Sequence, residues 1–128
     1  MTHPNADLLR NAYDAFARGD IDAAVADFTD DVMFNIPGKS PLAGEYRGKE
    51  QVIAYLRDVI ERSEGTFRLE SHDVIASESH VIGLTVQRGQ RKGKSGGYNS
   101  VQVFHVDDGK LTEFWEFPDQ PDFDDFWS

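Results

Sequence analysis

The chain has 128 residues, 39% of them apolar and 12% aromatic, enough for one hydrophobic core in one domain spanning residues 1–128. A formal net charge of -10 and a pI near 4.6 repel phosphate backbones and anionic lipid, so neither nucleic acid nor a membrane is an expected partner. There are no cysteines, which excludes disulfides, thiolate catalysis and Cys-based metal centres.

The opening Met-Thr-His-Pro-Asn lacks a basic region followed by an apolar run, and no stretch has the length to span a bilayer. A cytoplasmic location is the expectation. Asn5 can cap a first helix whose apolar stripe is Leu9, Ala12/Tyr13 and Phe16. Gly19 ends it, and Asp20 caps a second helix at once, with Ile21, Ala24, Val25 and Phe28 on its inner face. Val32 to Ile36 reads as a short strand that stops at Pro37. Residues 37 to 47, with Pro37, Gly38, Pro41 and Gly44, read as a loop. A third helix is predicted from about Lys49 to Arg62, striped by Val52, Tyr55, Leu56, Val59 and Ile60.

From Thr66 the period changes. Phe67–Ala76, Val81–Arg88, Tyr98–Val106 and Leu111–Phe117 read as four strands, the last two joined by a tight Asp108-Gly109 hairpin. The Gly- and Lys-rich link from Arg88 to Gly97 reads as a longer flexible tip with a solvated cluster of Arg88, Arg91, Lys92 and Lys94. Its Gly89-Gln90-Arg91-Lys92-Gly93-Lys94-Ser95 run is not a phosphate-binding loop: the spacing needs a glycine where Arg88 stands, and no helix follows. The tail interleaves Phe123, Phe126 and Trp127 with acids. It reads as a segment that closes a pocket mouth, clasps a second subunit or, more plainly, covers a sheet edge.

Val81–Val86 and Val101–Val106 are apolar at nearly every position, as is Phe114-Trp115 with Phe117, a pattern of strands buried on both faces. The helices can cover one face. A homodimer packed through the open sheet face is the expected cover for the other.

The helix–Gly19-Asp20–helix opening resembles the SnoaL-like branch of the nuclear transport factor 2-like superfamily. So do Asp30-Asp31-Val32, Tyr46-Arg47-Gly48-Lys49-Glu50 before a helix, and the run from Asp108 to Phe117. The resemblance implies an α+β fold: a cone-shaped, curved antiparallel sheet wrapped around N-terminal helices (the cystatin-like α+β barrel), usually dimeric, with a hydrophobic pocket between sheet and helices. It does not imply one reaction, because this superfamily hosts isomerases, cyclases, dehydratases, epoxide hydrolases and binders.

Ketosteroid isomerase, a relative in that superfamily, places its base as an Asp before a Pro at the end of the first strand. Here Ile36 stands before Pro37. Ungapped counting puts Ala12 where its oxyanion-hole Tyr should be, with Tyr13 turned about 100° away, and Gln102 where its protonated Asp should be. The cyclase-like branch often ends Glu-His-Trp-Asp, and Glu113-Phe114-Trp115-Glu116 keeps the final carboxylate.

Glu116 is therefore the candidate acid or base, its pKa raised by apolar neighbours. The alternative is a solvated rim residue or an ion-pair partner of Arg47 or Arg88. Gln102 is a candidate to orient a carbonyl or hydroxyl, or else a satisfied buried amide. His72 is kept as a possible base, with simple exposure as the plainer reading. Phe16, Phe34, Ile36, Phe104 and Phe114 are the expected walls, and Tyr13 and Tyr55 are added as substrate-binding candidates. No metal is expected, since His72, His80 and His105 lack ligand spacing, and no cofactor is invoked. The leading function is a cofactor-free isomerase, cyclase or dehydratase acting on a small hydrophobic polyketide-, steroid- or terpene-like compound. The alternative is a non-catalytic ligand-binding or dimeric interaction module.

Overall fold

The computed structural model describes residues 3–128; Met1 and Thr2, the first positions of the N-terminal reading, lie outside the described residues. Helix α1 runs Pro4–Ala17 and buries Ala6, Leu9 and Ala15. Its cap is His3 rather than Asn5: His3 Nδ1 accepts the Asn5 backbone N–H at 3.1 Å, and Pro4 occupies the first turn, where no N–H is needed. The Asn5 side chain instead donates to the carbonyls of Ser77 and Glu78.

Gly19 turns the corner at φ +77°, and the Asp20 carboxylate caps Ala23 N at 3.1 Å. The second helix, α2, is a single turn, Ile21–Ala24, and does not reach Phe28. Phe28 begins strand β1, Phe28–Ile36, because the backbone there pairs with Leu111 and is drawn into the sheet. The expected loop at 37–47 holds a strand, β2 (Gly44–Arg47), which pairs antiparallel with β1 although Glu45 and Arg47 are exposed and only Tyr46 is partly buried. Helix α3 spans Lys49–Arg62, as its stripe predicts, and buries Val52, Tyr55 and Val59.

Four long strands follow: β3 Arg68–Ala76, β4 His80–Arg91, β5 Lys94–Asp107 and β6 Lys110–Pro118. The sheet order is β2-β1-β6-β5-β4-β3, with β1 parallel to β6 and every other pair antiparallel. The sheet is curved but not a closed barrel: β2 and β3 are free edges. Asp108-Gly109 turns the β5–β6 hairpin with both φ values positive, at 54° and 75°.

The 88–97 tip is not a long flexible loop. The β4–β5 ladder continues to Arg91 opposite Lys94 and closes on Lys92-Gly93, with φ 51° and 76°. Arg91 is not solvated either. It is 3% exposed, donating from Nε to Arg62 O and from Nη1 to the carbonyls of Phe126 and Ser128. Those bonds pin a short helix, α4 (Asp122–Trp127), against the body, with Phe123, Phe126 and Trp127 buried.

Helix α1 lies over β3 and β4, α3 over β1 and β2, and α4 over β5, so the helices line one face of the sheet. The other face leaves Ile75 51%, Val101 37% and Phe117 59% exposed. Burial in β4 and β5 alternates instead of running continuously, so in the chain itself these strands are covered on one face only. Among the described residues no helix is long and apolar enough to cross a membrane, and no group of three or more His, Asp or Glu could hold a metal ion.

Candidate functional site

The register of three adjacent strands builds the site row by row. Gln87 pairs with Tyr98, Thr85 with Ser100, Gly83 with Gln102, and Gln102 in turn with Glu116; Val81, Phe104 and Phe114 form the next row. Side chains two residues apart share a face, so all of these look toward the helices. Phe34 of β1 continues the aromatic row, its ring 4.6 Å from Phe114.

These residues enclose a cavity of about 80 Å³ between the sheet, α1, α3 and α4. That is space for roughly six water-sized atoms, the scale of a single ring. Its walls include Tyr13, Phe16, Phe34, Tyr55, Phe104, Phe114 and Trp127, and its polar members are Gln87, Gln102 and Glu116 together with the tyrosines.

Glu116 is 4% exposed, and among the described residues no cationic side chain lines the cavity with it. Three donors converge on one of its oxygens, Oε2: Gln87 Nε2 at 2.9 Å, Ser100 Oγ at 2.9 Å and Gln102 Nε2 at 3.3 Å. Among the described residues no donor reaches Oε1. Nor is Oε1 sealed off: among the described residues Thr29 Oγ1 alone is a fully enclosed side-chain polar atom without a partner, so Oε1 borders the cavity. Burial raises the Glu116 pKa above the usual glutamate value, and the three hydrogen bonds oppose the rise.

Each glutamine is held by a phenol. The Tyr98 hydroxyl donates to Gln87 Oε1 at 2.7 Å, and the Tyr13 hydroxyl to Gln102 Oε1 at 2.6 Å. Gly83 makes room for the second contact, because a methyl group there would collide with the Tyr13 hydroxyl. Desolvation, then the Glu116 charge, pushes the pKa of Tyr13, Tyr55 and Tyr98 up, so the phenols stay neutral donors. Tyr55 lines the cavity, and its hydroxyl makes no hydrogen bond among the described residues.

Of the residues singled out from the sequence, Glu116, Gln102, Tyr13, Phe16, Phe34, Tyr55, Phe104 and Phe114 all meet at this cavity. Two do not. His72 is exposed on β3 and falls in the register irregularity between Ser71 and Asp73, where strict alternation fails. Ile36 is buried but sits at the end of β1, opposite Gly44 and past the cavity. Tyr13, which helical counting turns away from the pocket, reaches Gln102 all the same, and Ala12 lines the cavity beside it. Glu116 is neither a rim residue nor an ion-pair partner of Arg47 or Arg88; Arg47 pairs with Glu45. Nothing in the sequence singles out Gln87 or Ser100, and it marks Trp127 only as one of the tail aromatics expected to close a pocket mouth, clasp a second subunit or cover a sheet edge. A count outward from a two-residue Lys92-Gly93 turn would have paired Gln87 with Tyr98.

Residues 9–114 match the model of the SnoaL-like domain family. The chain is 34% identical over 124 residues to the uncharacterized protein Rv0034 of Mycobacterium tuberculosis (strain ATCC 25618 / H37Rv), covering 95% of each chain. Among solved structures it is similar to Bal32a from a soil-derived mobile gene cassette, with 28% identity, a TM-score of 0.93 and coverage of 98% of this chain and 97% of that one. It is also similar to TerC co-crystallized with polyporic acid, at 23% identity, TM-score 0.86 and coverage of 97% and 98%, a likeness that shows the fold alone. Other similar structures are described as NTF2-like or cystatin-like in fold.

Proposed function

The chain belongs to the SnoaL-like domain family, and from that premise we propose that it binds a small single-ring carbonyl compound and moves a proton on it through Glu116. One observation carries the reading: a buried carboxylate has one oxygen saturated by three donors while the other fronts an aromatic cavity. Ionised, Oε1 is a desolvated base; protonated, it is an acid that can return the proton to a neighbouring carbon. The unpaired Tyr55 phenol is the donor for the oxygen on which charge develops. The reaction class is isomerisation or dehydration by proton transfer, with no cofactor invoked. The co-crystallization of TerC with polyporic acid supports a small organic ligand for the shared fold. A cavity of about 80 Å³ favours one ring over a steroid or polycyclic polyketide.

The test is deuterium uptake at the α-carbon of cyclopentanone, a single-ring ketone of the cavity's size, followed by proton NMR in heavy water. Exchange faster than buffer in the wild type, and lost in Glu116→Gln, is the expected result. Equal rates with both proteins would overturn the proton-transfer reading. Saturable cyclopentanone binding without exchange would establish the alternative, a binding module without turnover.

A homodimer through the open face belongs to the same reading, supported by the exposed Ile75, Val101 and Phe117. Sedimentation should show a dimer for the wild type and a folded monomer for Phe117→Lys. A wild type that sediments as a monomer at micromolar concentration removes this part.

A further inference from the structure

The hydrogen bonds around Glu116 have a direction, and one residue sets it. Trp127 Nε1 lies 2.9 Å from the Tyr98 hydroxyl oxygen. An indole N–H can only donate, so the Tyr98 oxygen must accept there. Its own proton then goes to its other partner, Gln87 Oε1, at 2.7 Å. With that carbonyl engaged, the Gln87 amide presents Nε2 to Glu116 Oε2 at 2.9 Å and to Thr85 Oγ1 at 3.1 Å. Thr85 can accept because its own proton is committed to Ser100 O at 2.8 Å. Every link from the indole to the carboxylate thus runs one way.

We propose that Trp127 is a positioning residue whose donor-only N–H, delivered by the docking of α4, polarises the Trp127–Tyr98–Gln87 chain and so reserves Glu116 Oε1 as the oxygen that exchanges a proton. This rests on the reading of Glu116 as the acid–base group. Arg91 is the clamp that delivers the indole: it holds the carbonyls of Phe126 and Ser128 on either side of Trp127. Without the indole N–H, the Tyr98 proton is free to swing away and the Gln87 amide to turn over. Its carbonyl would then face Oε2, replacing a donor with a repelling dipole and favouring the protonated acid. Among the described residues, the titratable groups facing Glu116 are Tyr13 from α1, Tyr55 from α3 and Tyr98 from β5, and no Lys, Arg, His or Asp lines the cavity.

The experiment is a pH titration of the Glu116 side-chain carboxyl by carbon-13 NMR, with glutamate labelled at Cδ and no ligand present. Trp127→Phe keeps an aromatic ring and deletes the donor. It should move the titration midpoint upward. Tyr98→Phe should also move it upward, and the double variant no further than the larger single effect. Asp124→Ala removes the 3.0 Å bond from Lys39 N at the far side of α4, while Arg91 still holds Phe126 and Ser128 and the Trp127–Tyr98–Gln87 chain is untouched, so its midpoint should match the wild type. An unshifted midpoint in folded Trp127→Phe, or an equal shift in Asp124→Ala, overturns the proposal. If Trp127→Phe does not fold, an unshifted Tyr98→Phe overturns it equally. The readout uses no substrate, so a protein that shows these shifts yet exchanges no protons on cyclopentanone would refute the proposed function and leave the polarised Trp127–Tyr98–Gln87 chain standing.

Discussion

Glu116→Gln should slow cyclopentanone exchange by about 100- to 10,000-fold, the usual worth of a positioned acid or base, and yet make the protein more stable at mildly alkaline pH. The two effects share one cause. A carboxylate that is 4% exposed, with only neutral donors around it, loses hydration that three hydrogen bonds replace in part. Desolvation therefore raises its pKa in the folded chain above its value in the unfolded one. A folded state that holds the proton more tightly is favoured where that proton is bound. The stability this contributes is fully present below the ordinary glutamate range and is lost as pH rises through the raised value. Glutamine carries no such proton. Its amide oxygen can take the Oε2 position and accept the same three donors, leaving its NH₂ toward the cavity. The variant and the wild type should thus unfold at similar denaturant concentrations in acid. They should diverge as pH rises, with the variant ahead by about 0.5–2 kcal/mol on the alkaline side. Urea melts of both proteins across pH measure this. Parallel curves, or a variant weaker than the wild type at alkaline pH, would show that Glu116 is not a strained, desolvated acid.

How much of this site a reader of the sequence can reach depends on which turns are recognised. The alternation within each strand, Gln102 with Phe104 and Phe114 with Glu116, is legible, but counting outward from the Asp108-Gly109 turn sets Gln102 opposite Trp115, and it is a register shift between His105 and Val106 that brings it opposite Glu116. Lys92-Gly93 is as tight a turn, but its setting among lysines and glycines disguises it, and with it the Gln87–Tyr98 pair. His72 defeats alternation for a local reason, a register slip that no residue type announces. The single-turn α2 and the strand β2 are tertiary outcomes: backbone pairing with β1 and β6 overrides the apolar spacing of Val25 and Phe28 and the polarity of Gly44–Arg47. Trp127 lies furthest from reach. Its partner Tyr98 is 29 residues away on another element, and only the docked tail brings them together.

The aromatic row carries the other large effect. Phe104 is 4% exposed, stacked on Phe114 at 4.7 Å and 24°, and within 6.3 Å of both Phe28 and Phe34. Phe104→Ala should destabilise the protein by about 3–5 kcal/mol, through lost apolar burial and the void left behind. The surrounding rings sit on paired strands and cannot collapse far into that void, which joins the existing cavity of about 80 Å³. Its new wall is apolar, so the enlarged space should take a two-ring hydrocarbon that the wild type excludes. Naphthalene should raise the melting temperature of Phe104→Ala and leave that of the wild type unchanged, since only a ligand that binds the folded state stabilises it. A loss below about 1 kcal/mol would mean the strands close over the void. Equal naphthalene shifts for both proteins would mean that the wild-type pocket already opens to larger molecules, and that the aromatic row does not set the size of what enters.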